Sequence, residues 1–446
     1  MKYVLFVLAV ICLGGLSFAG VLKGFGLTPA QELAALVSIV AVLLWVGEIV
    51  PLFVVGFVIL GFNIMVLPSL LPEVDVQVFF KPFFSNIILL FLGGLVISRV
   101  FQVYHFDKVL TKKLLKLSNG KPFALLGGVV FLSASLSMWM SNTATSAVVL
   151  SALLPLSSSL EESDRFRKAL FLAVPFACNI GGFATPIGSP PNAIALSALA
   201  KSGYDISFTQ WMIWTLPLTC VLLLGTSVLL FKMFPTHNKR IPIEGMKDYQ
   251  IDWTRKHSLA AGIVSFTILS WLLSSYISVS SGAVAIIPIV LAFSTGLLDE
   301  EEFRSLPWDV LFMVGGGISL GVLIQETQLD QFILKYINID MSYPVLSLFM
   351  LSMMVMCFST IMSNTATAGI VLPVVLSLVN PDVSSVQLAL IVTLGCSLAM
   401  GLPISTPPNA IAFASGHIKT ADMFKAGVLV GIIGIIIGCV AALKIW

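Results

Sequence analysis

Apolar runs follow one another along almost the whole 446-residue chain, separated by short polar breaks. Many runs approach the roughly 18 to 20 residues that a helix needs to cross a hydrocarbon core about 30 Å thick. A membrane β-barrel would alternate polar and apolar residues in segments of about ten, and runs such as VSIVAVLLW and GIIGIIIG do not alternate. The pattern predicts an all-α polytopic membrane protein with about 11 transmembrane helices.

The chain begins with an apolar run from Tyr3 to Leu22. Residues 17–19, Ser-Phe-Ala, are similar to a signal-peptide cleavage site, but the apolar part of a signal peptide is usually only about 7–15 residues long. We therefore expect a first transmembrane helix within residues 1–30. The long polar stretch at 233–257 predicts a central cytoplasmic loop, which divides the rest of the chain into segments 31–232 and 258–446.

Two short strings occur twice. MSNTAT stands at 140–145 and again at 362–367, 222 positions later, and PPNAIA stands at 190–195 and again at 407–412, 217 positions later. Two chance hexapeptide matches in the same order at nearly the same spacing are very improbable. The sequence therefore predicts two structural repeats, one in each half of the chain.

The two repeats differ in charge at corresponding places. Residues 99–121 contain one arginine and five lysines against one aspartate, whereas residues 321–343 contain one lysine against three acidic residues. Because basic loops stay on the cytoplasmic side, the first segment is expected inside and the second outside. Related segments on opposite sides indicate inverted-topology repeats, which are typical of secondary transporters.

Polar letters and prolines interrupt the apolar runs at the duplicated strings. We expect a hairpin at 122–160 that enters from the cytoplasmic side and a hairpin at 343–380 that enters from outside, each with Ser-Asn-Thr at its tip. The proline pairs remove backbone donors and clash with a continuous helix. They predict broken helices at 167–200 and 385–416, with free carbonyls that could hold a cation and helix N-termini that could face an anion.

Composition narrows the chemistry. Only 10% of residues are charged and the net charge is +2, so no nucleic-acid partner is expected. The six cysteines include no C-x-x-C and the four histidines stand alone, which makes redox or metal enzymology improbable. No arginine or lysine lies in the motif regions, so the available groups suit an anion held by neutral donors beside Na⁺, a hard cation that prefers oxygen ligands.

The duplicated SNTAT and PPNAI strings resemble those of the divalent anion/sodium symporter family, the carriers of dicarboxylates, citrate and sulfate, over essentially the whole chain. The resemblance implies a homodimer in the inner (plasma) membrane, with a scaffold domain and a transport domain that moves by an elevator mechanism. It also implies the substrate-binding residues, which are Ser141, Asn142, Thr143, Ser363, Asn364, Thr365, Pro190, Thr406 and Pro407.

By the same resemblance, two sodium sites are expected. The first would use Ser137, Ser141, Asn142 and Gly188. The second would use Ser359, Ser363, Asn364 and Ser405. This chain departs from the family's usual pattern in the second site, where members often carry threonine and alanine in place of Ser359 and Ser405.

The leading hypothesis is Na⁺-coupled symport of C4-dicarboxylates such as succinate, malate or fumarate. The alternatives within transport are a sodium-independent dicarboxylate or citrate exchanger and a Na⁺/sulfate symporter. An anion channel would not need two helix-breaking pairs in inverted repeats. An enzyme with serine nucleophiles is disfavoured because no G-x-S-x-G elbow is present and no histidine lies near either motif serine.

Overall fold

The computed structural model describes residues 26–47, 49–158, 160–161, 164–241, 252–276, 278–336, 343–377, 383–444 and 446. Most of the predicted first transmembrane helix at 1–30, and residues 242–251 of the predicted central loop, lie outside the described residues. Within the described residues every regular element is helical and no β-strand occurs. The predicted all-α class is confirmed.

The first half of the chain forms ten α-helices. They are α1 (Pro29–Gly47), α2 (Leu52–Met65), α3 (Gln77–Phe80), α4 (Asn86–Val103), α5 (Phe106–Leu117), α6 (Pro122–Ser137), α7 (Asn142–Ser158), α8 (Phe166–Phe183), α9 (Pro190–Lys201) and α10 (Phe208–Met233). Two short 3₁₀ turns, Leu67–Ser69 and Lys81–Phe84, lie between α2 and α4.

The second half forms ten more. They are α11 (Arg255–Leu273), α12 (Ser281–Ser294), α13 (Glu300–Arg304), α14 (Trp308–Glu326), α15 (Leu329–Tyr336), α16 (Pro344–Ile361), α17 (Asn364–Leu376), α18 (Ser385–Ser397), α19 (Pro407–Ala414) and α20 (Thr420–Lys444).

Two helices in each repeat begin at a proline, and they stand at corresponding places. Pro122 and Pro344 start α6 and α16, and Pro190 and Pro407 start α9 and α19. Proline suits the first helical position because its fixed φ matches the helix and its missing N–H would have no partner there. The same residues that break a continuous helix therefore set the register of the helix that follows.

Seven helical segments in the described part of the chain are long and apolar enough to cross a membrane: Leu52–Ser69, Gln77–Val103, Phe208–Met233, Arg255–Leu273, Glu300–Glu326, Pro344–Ile361 and Thr420–Lys444. These segments identify an integral multi-pass membrane protein. Four helices next to the duplicated strings, α6, α7, α17 and α18, are shorter. The count of about 11 transmembrane helices depends on how such shorter helices sit in the bilayer and stays a prediction.

Helices α6–α9 and α16–α19, which carry the duplicated strings, form what we call the motif body. In each repeat the helix before the Ser-Asn-Thr string packs on the next long helix, α6 on α8 and α16 on α18. Contacts also cross between repeats, because α7 packs on α19 and α17 packs on α9. The largest hydrophobic core of the protein is drawn mainly from these helices.

Two helix pairs lie outside the motif body, α4 with α12 and α2 with α14, and we call them the flanking pairs. Each pair is held close by glycine. A Cβ on Gly93 would lie 2.6 Å from the Cβ of Ala285, and a Cβ on Gly316 would lie 2.3 Å from the Cα of Gly56. Because no real side chain fits at such distances, these glycines let the backbones approach as small residues do in membrane helix packing.

Candidate functional site

Each Ser-Asn-Thr string lies where one helix ends and the next begins. Helix α6 ends at Ser137 and α7 begins at Asn142, while α16 ends at Ile361 and α17 begins at Asn364. The Ser141 hydroxyl accepts a hydrogen bond from Ala144 N (3.2 Å), and the Ser363 hydroxyl accepts one from Ala366 N (3.1 Å). Both serines therefore cap the following helix, whatever further role they have.

The asparagine of each string accepts a hydrogen bond from a serine five residues earlier. The fully buried Ser137 donates to Asn142 Oδ1, and the fully buried Ser359 donates to Asn364 Oδ1 at 2.7 Å. This hydrogen bond occurs at corresponding places in both repeats. All four residues that it joins were predicted as sodium ligands.

In repeat 1 this pair belongs to a cluster of oxygens. The Ser137 hydroxyl also lies 2.9 Å from the carbonyl of Cys178, so its single proton has two acceptors within reach. Asn142 Oδ1 and the Gly188 carbonyl each lie 2.9 Å from the point that a Cβ on Gly182 would occupy. Asn142 Nδ2 lies 3.1 Å from the same point. Hydroxyl, amide and carbonyl oxygens, the ligands that suit a hard cation such as Na⁺, therefore lie close together here, with one amide donor beside them.

Repeat 2 lacks the glycine that opens this space. The corresponding residues are Leu398-Ala399-Met400, which follow the end of α18 directly, and none of them is a glycine. Ser405 uses its hydroxyl within the protein, donating to the Thr360 carbonyl at 3.1 Å and accepting from Leu402 N at 3.1 Å. The second group of predicted ligands is therefore more constrained than the first.

Sequence analysis did not single out the asparagine of the Pro-Pro-Asn strings. Asn192 Nδ2 donates to the carbonyls of Gly182 (2.9 Å) and Thr185 (2.8 Å). In repeat 2, Asn409 Nδ2 donates to the carbonyls of Met400 and Leu402, both at 2.9 Å. These four carbonyls, which the broken helices were expected to leave free, already have a donor. The recurrence of asparagine in both strings was the available signal.

The prolines and Thr406 lie at the start of the short helices that follow each break. Pro190 and Pro407 are the first residues of α9 and α19, and Thr406 caps α19 by accepting from Asn409 N at 3.4 Å. The linkers are tied to the segment just before each Ser-Asn-Thr string, since Thr185 donates to the Met138 carbonyl at 2.7 Å and Ser405 donates to the Thr360 carbonyl at 3.1 Å.

The two repeats meet at the C-terminal end of α8. Asn179 Nδ2 donates to Thr406 Oγ1 of repeat 2 at 3.2 Å, and Gly182, three residues further on, faces Asn142 of repeat 1. Three residues span about 4.5 Å along a helix, so Thr406 and Asn142 flank a single turn. Asn179 is buried and is not among the residues predicted from the sequence, although a polar residue inside an apolar helix of a membrane protein is a functional signal.

Exposure of the strings differs between repeats. Ser141 and Thr143 are exposed, whereas Thr365 is 6% exposed and Ser363 and Asn364 are half-buried. No charged side chain lies within residues 133–147, 176–194, 355–369 or 393–412. The groups here that can attract an anion are therefore hydroxyls, amides and the N-termini of α7, α9, α17 and α19, which carry partial positive charge.

Comparison with known proteins assigns the family. The model of a citrate transporter family matches residues 39–368 and 271–446, so the predicted resemblance is confirmed. An uncharacterized transporter of Haemophilus influenzae is 28% identical over 382 residues, covering 80% of this chain and 81% of that protein. The sodium-dependent dicarboxylate transporter SdcS of Staphylococcus aureus is 28% identical over 390 residues, covering 79% of this chain and 75% of SdcS.

A third relative carries a different anion in its name. The inorganic phosphate transporter PHO87 of Saccharomyces cerevisiae is 32% identical over 391 residues, which are 83% of this chain and 41% of that longer protein. Among solved structures, the YdaH transporter of Alcanivorax borkumensis superposes with a TM-score of 0.53 at 14% identity, covering 82% of this chain and 85% of YdaH. At that identity the likeness concerns the fold alone.

Proposed function

Since this chain belongs to the citrate transporter family, we propose that it is a secondary active transporter that carries C4-dicarboxylates such as succinate, malate or fumarate together with Na⁺ across the plasma membrane. Its family and named relatives are transporters, so the protein is a transporter and not an enzyme. The proposal of sodium coupling draws on the likeness to SdcS and on the oxygen cluster of repeat 1.

The observation that carries the proposal is the repeated serine–asparagine pair in a region without charged residues. Ser137 with Asn142 and Ser359 with Asn364 present hard oxygens, and the Gly188 carbonyl joins the first pair. Sodium ions at these pairs would add the positive charge that the site lacks. The Ser-Asn-Thr donors, with Pro190, Thr406 and Pro407, would then hold the carboxylates beside the ions.

Asymmetric packing of the two repeats supports alternating access by an elevator movement. Helix α17 packs on α14 of a flanking pair, whereas its counterpart α7 makes no comparable contact with α4 among the described residues. Ile187 packs on Gly94 of α4, while the corresponding Ile404 is 75% exposed. Movement of the motif body along the flanking pairs would exchange these two environments. We further expect inverted repeats, two re-entrant hairpins and a homodimer.

The test is uptake into vesicles that contain the purified protein. Succinate uptake should rise with an inward Na⁺ gradient and should compete with malate and fumarate. Citrate, sulfate and phosphate belong in the same panel, because the family model and the yeast relative name citrate and phosphate. Uptake that does not depend on Na⁺ but requires dicarboxylate inside the vesicles would indicate exchange and contradict symport.

Two variants link the activity to the site. Asn142→Ala and Asn364→Ala should each abolish uptake, because each removes an amide oxygen that receives the buried serine proton and faces the proposed ion. Elution of both variants at the wild-type position on size exclusion would show that they remain folded. Full uptake by both variants would contradict the proposed site.

A further inference from the structure

A buried asparagine of repeat 1 reaches across to the proposed substrate residue of repeat 2. Asn179 is 2% exposed and lies on α8. Its Nδ2 lies 3.2 Å from Thr406 Oγ1 and 3.5 Å from Asn409 Oδ1, and both oxygens are contributed by the start of α19. Asn179 is thus the contact through which the two repeats share this end of the site.

The backbone fixes the direction of these hydrogen bonds. Asn409 Nδ2 donates to the carbonyls of Met400 and Leu402, so the oxygen of the same amide faces Asn179. The opposite orientation of Asn409 would place its oxygen against two carbonyls, which cannot donate. Asn179 must therefore present its NH₂ group to this oxygen and to Thr406, and it cannot present its own oxygen there.

The Thr406 hydroxyl has only its proton left for a ligand. Its Oγ1 accepts from Asn179 Nδ2 and from Asn409 N (3.4 Å), which occupies both lone pairs of the hydroxyl. No acceptor for the hydroxyl proton is present among the residues that the structure describes. Such a hydroxyl can donate to a ligand but cannot accept from one, which suits a carboxylate and disfavours a ligand group that offers a proton.

We propose that Asn179 is a positioning residue that holds the Thr406 hydroxyl as an obligate hydrogen-bond donor to the transported anion. The inference rests on the proposed function, because it assumes that an anion binds where α19 begins. Repeat 1 has no such device: Ser189 stands at the place of Thr406 and does not cap α9, and residues 393–400 contain no asparagine. The two ends of the site would therefore differ, because only repeat 2 has a hydroxyl that a neighbouring asparagine restricts to donating.

The test compares the Michaelis constants of Asn179→Ala, Thr406→Val and the double variant in vesicles with a fixed Na⁺ gradient. Loss of one hydrogen bond to a charged substrate should raise KM by about 10-fold or more in each single variant. The maximal rate should change little. Because Asn179 acts through the Thr406 hydroxyl, the double variant should be no worse than the poorer single variant. Thr406→Ser, which keeps the hydroxyl, should have a KM much closer to that of the wild type than to that of Thr406→Val.

Controls separate positioning from a general structural role. Thr219→Val removes a buried hydroxyl for which the described part of the chain offers no partner, and it should leave KM unchanged. Asn179→Leu, which keeps the volume, replaces Asn179→Ala if the smaller side chain lowers the yield of folded protein. Effects of Asn179→Ala and Thr406→Val that multiply in the double variant, or an unchanged KM in Asn179→Ala, would overturn the proposal.

The substrate in this test is whichever of succinate, citrate, sulfate and phosphate the wild type takes up fastest. A preference for an anion other than a dicarboxylate would therefore refute the proposed substrate class. It would leave the comparison of Asn179 and Thr406 intact, since each of these anions accepts hydrogen bonds.

Discussion

At the scale of single residues, the candidate site is built from neutral groups whose hydrogen-bonding roles are fixed by their neighbours. Ser137 and Ser359 direct the asparagines of the two strings, and Asn179 directs Thr406. One glycine lets the repeat 1 cluster form, because Asn142 Oδ1 and the Gly188 carbonyl both lie within 3 Å of the point that a Cβ on Gly182 would occupy.

Gly182→Ala should therefore weaken sodium binding. A methyl group would lie 2.9 Å from each of these two oxygens and would force them apart. We expect the Na⁺ concentration for half-maximal uptake to rise by about tenfold, the equivalent of roughly 1.4 kcal/mol. The matched control is Gly225→Ala, since a Cβ on Gly225 meets no atom within 4 Å. An identical sodium dependence in Gly182→Ala and Gly225→Ala would contradict the assignment of the cluster.

At the scale of elements, sequence reasoning located the interruptions because their causes are local. Proline pairs stop a helix, and serine caps the next one, so the strings themselves mark where α6, α8, α16 and α18 end. The partners of Asn179 and Asn192 could not be predicted, because they depend on which helices pack together. Nor does a duplicated sequence reveal that Ile187 is covered while Ile404 is exposed.

The two broken helices should depend on the asparagines that satisfy their carbonyls. Asn192→Ala and Asn409→Ala each remove the side-chain donor to two backbone carbonyls. One carbonyl of each pair keeps a backbone donor, because Gly188 N also donates to Thr185 and Ser405 N to Leu402. Each variant therefore leaves one carbonyl without a donor, at a cost of about 1–3 kcal/mol for a buried group. Both variants should unfold at a lower temperature than the wild type in detergent. The control is Thr226→Val, which removes a buried hydroxyl that has no hydrogen-bond partner among the residues described. Wild-type stability of both asparagine variants would show that water or backbone movement replaces these bonds.

At the scale of the whole molecule, corresponding helices of the repeats contact different surroundings. Helix α9 packs on α14 and α4 of the flanking pairs, while α19 packs on α7 and α8 within the motif body. A transporter with repeated halves needs such a difference, because exchange of the two arrangements opens the site on alternate sides.

The accessibility of positions 187 and 404 should change when the two arrangements are exchanged. In a protein without its native cysteines, Ile404→Cys should react with a water-soluble maleimide, while Ile187→Cys stays protected by its packing on Gly94. Conditions that drive transport should raise labelling at position 187 and lower it at position 404. Labelling that never changes at either position would contradict an elevator movement.

The central claim is that one site couples sodium to a dicarboxylate, and the most direct measurement follows both fluxes in the same vesicles. Radioactive sodium and radioactive succinate are supplied outside vesicles that contain the purified protein. Coupling is reciprocal, so succinate should accelerate sodium entry, sodium should accelerate succinate entry, and Asn142→Ala should abolish both effects. Succinate entry at the same rate with and without sodium, with no sodium entering alongside it, would contradict the account.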